Sequence, residues 1–270
     1  PLLLSMAFPP MLSMLIQSLY NIVDSMFVAR YSEDALTAVS LAFPLQTLIV
    51  ACSVGIGVGV NSYIARMLGQ RNQEEADSAV AHGLLMAIAA SILFAAIGFT
   101  GMNGFFRMFT SDQAILADSL LYAKICIAFC FGPFIHICIE KVFQATGKML
   151  FPMALQAIGA ILNVILDPIM IFGYFGIPAM GVAGAAIATI IGQLTAMTLS
   201  FLVLILFRHD VKLHFRGFHY NGFMVKQILA VAIPNACMNA LGSVLVMGLN
   251  AILIGFSTTA VSLFGVYYKL

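Results

Sequence analysis

From Pro1 to Val23 the chain carries no charged residue, and the first charge in it is Asp24. An uncharged apolar run of that length crosses a bilayer as an α-helix. In hydrocarbon every backbone N–H and C=O must be satisfied within the segment, so a helix is what such a run can form. Runs of the same kind recur to the end of the chain. Hydrophobic residues make up 62% and charged residues 9% of the 270, and mean hydropathy is +1.04. Soluble domains carry about 25% charged residues. The fold class read from this is an all-α polytopic membrane protein.

The punctuation between runs gives the organisation. Helices are predicted over about 2–28, 35–66, 78–103, 116–142, 151–172, 182–207 and 227–256, with an eighth starting near Thr258. Kinks are expected at Pro44 and near Pro133, since proline removes an N–H and crowds the preceding turn. Gly55-Ile56-Gly57-Val58-Gly59 lacks the spacing and the preceding strand of a nucleotide-binding turn, so it reads as a close-packing helix face. The segment 208–226 mixes basic residues, three histidines and aromatics, as an interfacial linker does. His82 is expected near the interface.

The predicted loops after helices two, four and six hold Arg66, Arg71, Lys141, Lys148, Arg208, Lys212, Arg216 and Lys226, whereas those after one, three and five hold Arg30 and Arg107. The positive-inside rule then makes the N-terminus cytoplasmic. Thr37-Ala38-Val39-Ser40-Leu41 recurs as Thr259-Ala260-Val261-Ser262-Leu263, and Ala7-Phe8-Pro9 is matched by Ala232-Ile233-Pro234. Six helices separate the copies, so the repeat is parallel, with its axis along the membrane normal. The expected division is a six-helix lobe over 1–207, a cytoplasmic linker over 208–226, and the first one to two helices of a second, pseudo-symmetric bundle over 227–270. With no initiator Met and a last run stopping at Leu270, a fragment of a longer chain is expected.

Two constellations can carry chemistry. Gln17, Tyr20, Asn21 and Asp24 share one face of the first helix. Ionisable groups at membrane depth mark ion pathways and relays by default. On the fifth predicted helix Asn163 and Asp167 stand four apart, Gln156 lies one heptad back, and Pro168 frees the carbonyl of Val164. An amide, a carboxylate and a freed carbonyl make a hard-oxygen cluster suited to a proton or Na⁺. Both acids fall near the same end of their helices and so can share a cavity. Burial and a neighbouring like charge both favour the protonated state of a carboxyl, which a proton carrier needs near neutral pH.

Other polar residues have plainer readings. His136 and Glu140 share a face that ends in an ion pair or a snorkelling side chain. Asn235, Asn239 and Asn250 face a cavity or bond neighbouring helices. Cys52, Cys126, Cys130, Cys138 and Cys237 lie in apolar runs with no metal spacing. A net charge of +1 gives no reason to expect a nucleic-acid partner. There is no HExxH, no Walker A motif, no GxGD, and no base arrangement for Gly242-Ser243, so no enzyme and no cofactor is expected.

At this point the residues resemble a known family. AFPPMLSMLIQSLYNIVDSMFVA is similar to the first helix of multidrug and toxin extrusion (MATE) transporters. ARMLGQRNQEEAD, FQATGKMLFPM, NVILDPIMIFG and GVAGAAIATIIGQ continue the likeness in order across the whole chain. It is closest to the bacterial DinF/MepA-like branch. The resemblance implies a twelve-helix, cation-coupled antiporter of two six-helix bundles around a V-shaped cavity, cut here after the start of helix eight. It implies that Asp24 is the coupling acid, and that Tyr20, Asn163, Asp167 and, less closely, Thr189 belong to the cation site. H⁺ or Na⁺ would bind at Asp24, Asn163 and Asp167, and Gln17, Asn21, Gln156, Asn235 and Asn239 would line the substrate cavity. The expected partners are a toxic organic cation and membrane lipid, with the protein a monomer in the bacterial plasma (inner) membrane. The rival readings are a lipid-linked oligosaccharide flippase, which needs a cavity rich in Arg and Lys, and a non-transporting scaffold.

Overall fold

The computed structural model describes residues 2–110, 112–176, 178–206, 211 and 219–269. Its helices are α1 (Leu2–Tyr31), α2 (Glu33–Gly69), α3 (Gln73–Arg107), α4 (Gln113–Ala128), α5 (Phe131–Ala145), α6 (Leu150–Phe172), α7 (Val182–Leu206), α8 (Gly222–Leu253) and α9 (Thr258–Lys269). Among the described residues there is no strand. Six helices are long and apolar enough to span a membrane, and α4 and α5, meeting at 48°, make one further broken span. The chain is an all-α, multi-pass membrane protein. Large apolar side chains left outside the bundle, such as Ile92, Leu93 and Ile97 on α3, suit lipid rather than water.

Short polar residues start the helices where the sequence placed turns. Ser32 caps α2 by accepting from the N–H of Asp34, Asn72 caps α3 through Glu75, and Asp112 caps α4 through Ala114 and Ile115. Gly173 ends α6 in the left-handed region, φ 80°, which a glycine enters without steric penalty. The broken span stands where a kink near Pro133 is expected. The chain breaks at Phe129–Cys130, not at Pro133 itself. A proline ring crowds the carbonyl four residues earlier, and that residue is Phe129. At Pro44 and Pro168, by contrast, α2 and α6 run on without a break.

Two buried apolar clusters hold the bundle, one at each end. At the first, Ile64, Val80, Phe134, Ile139, Phe143 and Ile228 join α2, α3, α5 and α8. At the other, Val28, Val39, Phe106, Tyr122 and Ile171 join α1 to α4 and α6. The α2–α8 seam is the close-packed face foreseen in the glycine run. A Cβ at Gly55 would lie 2.6 Å from Ala236 Cβ, and one at Gly59 would lie 2.5 Å from the carbonyl oxygen of Ile228. The two copies of the repeated pentapeptide also meet: Thr37 Oγ1 and Ser262 Oγ are 2.6 Å apart, and Thr259 donates to Glu33 Oε1 at 2.8 Å.

Most of the predicted linker, including Arg208, Lys212 and Arg216, lies outside the described residues. Its last part, from Gly222, is already α8. His82 is buried in the protein, and it ties down the start of α8. Its Nε2 accepts the backbone N–H of Asn221 at 3.0 Å, and Nδ1 lies 2.9 Å from the carbonyl of Ser78. That pattern demands the neutral tautomer with the proton on Nδ1. His82→Phe keeps the ring but leaves a buried N–H unpaired. It is expected to cost about 1–3 kcal/mol, read as a lower thermal-unfolding midpoint. His82→Gln, whose amide oxygen can accept that N–H, is expected to recover most of it.

Candidate functional site

The site is built at a close approach of α6 and α7. Gly159 and Gly192 face each other, and a Cβ on Gly192 would stand 2.8 Å from the carbonyl oxygen of Gly159. Glycines on both helices let the backbones approach, which carries Thr189 of α7 to Asn163 of α6. The amide of Asn163 then joins the two helices. In the orientation that satisfies both of its ends, Nδ2 donates to Asp167 Oδ2 at 3.2 Å, and Oδ1 accepts the N–H of Thr189 at 3.1 Å. The i, i+4 spacing on α6 was legible in the sequence. Thr189, 26 residues further on, was implied by the family resemblance and not by spacing.

Asp167 is wholly buried and Asp24 is 5% exposed. The two carboxyl groups lie within electrostatic reach of each other, and both act on Tyr20. Thus α1 and α6 bring together the acids that the sequence placed at a common depth. Two neighbours went unforeseen. Gln46 on α2 donates to the hydroxyl of Tyr122 on α4 at 3.0 Å, and Tyr122 senses both acids. Gln46 is a lone amide in an apolar run, the same signal that marks Gln17. The cluster gathers two carboxyl groups, an amide, a threonine hydroxyl and phenol oxygens, a donor set of the hard-oxygen kind that suits H⁺ or Na⁺. Among the described residues no group of three or more His, Cys, Asp or Glu suggests a transition-metal site.

A cavity of about 280 Å³ runs from this cluster toward the opposite end of the bundle. Tyr20, Asn163 and Thr189 line it, while Asp24 and Asp167 are not among the lining residues. Gln17, Gln156 and Asn239 also line it, and Gln156 donates to Gln17 Oε1 at 3.1 Å, joining α6 to α1. Asn21 and Asn235 are not among the lining residues. The Asn21 amide is spent on the carbonyl of Gln17 at 2.9 Å. Asn235 takes two hydrogen bonds from the Asn239 amide, to its backbone carbonyl and its Oδ1. Further along α8, Ser243 Oγ and Asn250 Oδ1 are buried with no hydrogen-bond partner among the described residues.

The far wall holds residues that the sequence reading set aside. His136, Glu140 and Lys141 of α5 line the cavity. Lys141 had been assigned to a loop, but it lies inside α5, four residues before the helix ends. Its ion pair with Glu140 measures 3.4 Å.

The chain matches known proteins along its whole length. The family model described as MatE matches residues 9–169. A relative named FAD transporter, from Shewanella oneidensis, is 26% identical over 97% of this chain and 58% of its own length. Multidrug export protein MepA of Staphylococcus aureus is 25% identical over 98% of this chain and 58% of its own. A solved inward-facing multidrug resistance MATE family transporter of the MOP superfamily superposes with a TM-score of 0.88, at 27% identity, over 94% of this chain and 57% of that one. The chain therefore spans a little under three fifths of the length of these relatives.

Proposed function

Since the chain belongs to the MatE family, we propose that it forms the ion-binding lobe of an H⁺- or Na⁺-coupled antiporter that exports organic cations by alternating access. The observation that carries this reading is the buried grouping of Asp24, Asp167 and Asn163 beside a cavity that Asn163 lines. A coupling ion entering from the Tyr31/Phe172 end binds between the two carboxyl groups. Loading neutralises a charge that is otherwise costly at that depth. The two conformations of the transporter differ in how well they hold that ion, and only a difference of that kind lets a gradient drive the exchange. The protein resides in the bacterial plasma membrane with the N-terminus of α1 in the cytoplasm.

Rival cargoes fit the cavity less well. A lipid-linked pyrophosphate, or the flavin dinucleotide named in one relative, needs several cations. Among the described lining residues Lys141 is the one ammonium group, and Glu140 already pairs with it. The test uses the protein at its full natural length in proteoliposomes, with ethidium as cargo. Ethidium movement under a pH gradient alone or a Na⁺ gradient alone is the expected result and names the ion. Stillness under both, from folded protein, would move the weight to a flippase or a scaffold.

A further inference from the structure

We propose that Glu140 is the group that reads the positive charge of the cargo, in a seat set apart from the ion site. This rests on the antiporter reading above and deepens it. Lys141 is the fixed half of the seat. Its stem lies across Gly57, where a Cβ would come 2.6 Å from Lys141 Cγ, so a bare backbone on α2 makes room for it. Asn61 of α2 donates to the Lys141 carbonyl at 2.8 Å, and Lys141 Nζ donates to Gln144 Oε1 at 3.0 Å. Glu140 is the presenting half. Its Oε1 accepts from Gln144 Nε2 at 2.7 Å and from Lys141 Nζ at 3.4 Å, Oε2 takes no hydrogen bond among the described residues, and Glu140 lines the cavity.

The hydrogen-bond arrangement favours a cation. With the pair formed, the wall is neutral. An arriving cation on Oε2 shares the carboxylate with the loose 3.4 Å contact on Oε1, while Lys141 keeps its bond to Gln144. Glu140 then stands between two cations, and Lys141 stays anchored by Gln144. An anionic group would instead have to compete for an ammonium group already held by two acceptors. Met14, Val50, Val54 and Ile137 supply apolar surface beside the seat. The ligand class is therefore a lipophilic cation, its charge on Glu140 and its body on these side chains.

The seat and the ion site lie at different depths. Asp167 stands seventeen residues into α6, and Glu140 stands five residues before the end of α5, the two helix ends being joined by a short loop. At 1.5 Å per residue this separates the acids by roughly 18 Å along the bundle. Cargo and ion then occupy opposite ends of one cavity and need not compete for a single carboxylate.

The test is equilibrium binding of ethidium, whose charge is fixed at all relevant pH, to the purified full-length protein by fluorescence anisotropy. Glu140→Gln is expected to weaken binding by about tenfold or more. Glu140→Asp, which keeps the charge, is expected to stay within about threefold of wild type. Lys141→Gln, which frees Glu140, is expected to bind as tightly as wild type or more so. Equal binding by Glu140→Gln and wild type would overturn the proposal. So would equal losses in Glu140→Gln and Glu140→Asp, which would reduce Glu140 to a structural role. Binding that follows the expected order in a protein moving no ethidium under either gradient would sink the antiporter and leave the seat standing.

Discussion

Ion-driven ethidium efflux is expected to fall to the leak rate of empty liposomes in Asp24→Asn, with the bundle still assembled. Asn is close to Asp in size and can occupy the same space beside Tyr20 and Asp167. It cannot accept a proton or offer Na⁺ a negative charge. Moving a two-state transporter from one conformation to the other, from about 1:99 to 99:1, requires a ligand that favours one state by about 5.5 kcal/mol. An ion reaching a neutral amide next to one remaining acid has no such preference to exploit. The measurement is counterflow in proteoliposomes under the gradient that drives the wild type, with ethidium binding as the control. Binding should persist, because the cargo seat at Glu140 lies at the other end of the cavity. Efflux at wild-type rates would remove Asp24 from the coupling mechanism.

The second large effect is expected at the seam between α2 and α8. In Gly59→Val a Cβ must lie where the carbonyl oxygen of Ile228 already stands, 2.5 Å away. That obstacle is backbone, so no side-chain rotation relieves it, and α8 must shift away from α2. Overpacking of this kind costs typically about 1–3 kcal/mol. The chain carries a native reporter of the shift. Cys52 on α2 and Cys237 on α8 lie within electrostatic reach across this seam, and neither is buried, whereas the other three cysteines are. A short bifunctional maleimide should join them in the wild type, with the linked peptides found by mass spectrometry, and should largely fail in Gly59→Val. Transport should fall with it, because the seam is where the first lobe meets the start of α8. Unchanged cross-linking would mean that the helices tolerate a wider spacing than their contact suggests.

The sequence by itself determined the class of molecule and pointed to the residues from which its site is proposed. Apolar runs of bilayer length admit only helices, so the spans followed from composition and from the short polar caps between them. Asp24 and Asp167 were legible because a carboxylate in hydrocarbon is conspicuous wherever it occurs, and Asn163 because a helix fixes what lies four residues away. These are signals local to one helix. The tertiary structure decided what depends on how helices approach each other. Thr189 reaches Asn163 because Gly159 and Gly192 let α6 and α7 close up. Gln46 and Tyr122 stand beside the acids only once α2 and α4 pack against α1 and α6. Lys141 counted as a loop charge until the bare backbone at Gly57 gave its stem a place on the cavity wall. His82 finds its partner only because the fold lays Asn221, 139 positions away, against it. A one-dimensional pattern records periodicity and charge, but which face meets which is settled by side-chain volumes summed over the whole bundle.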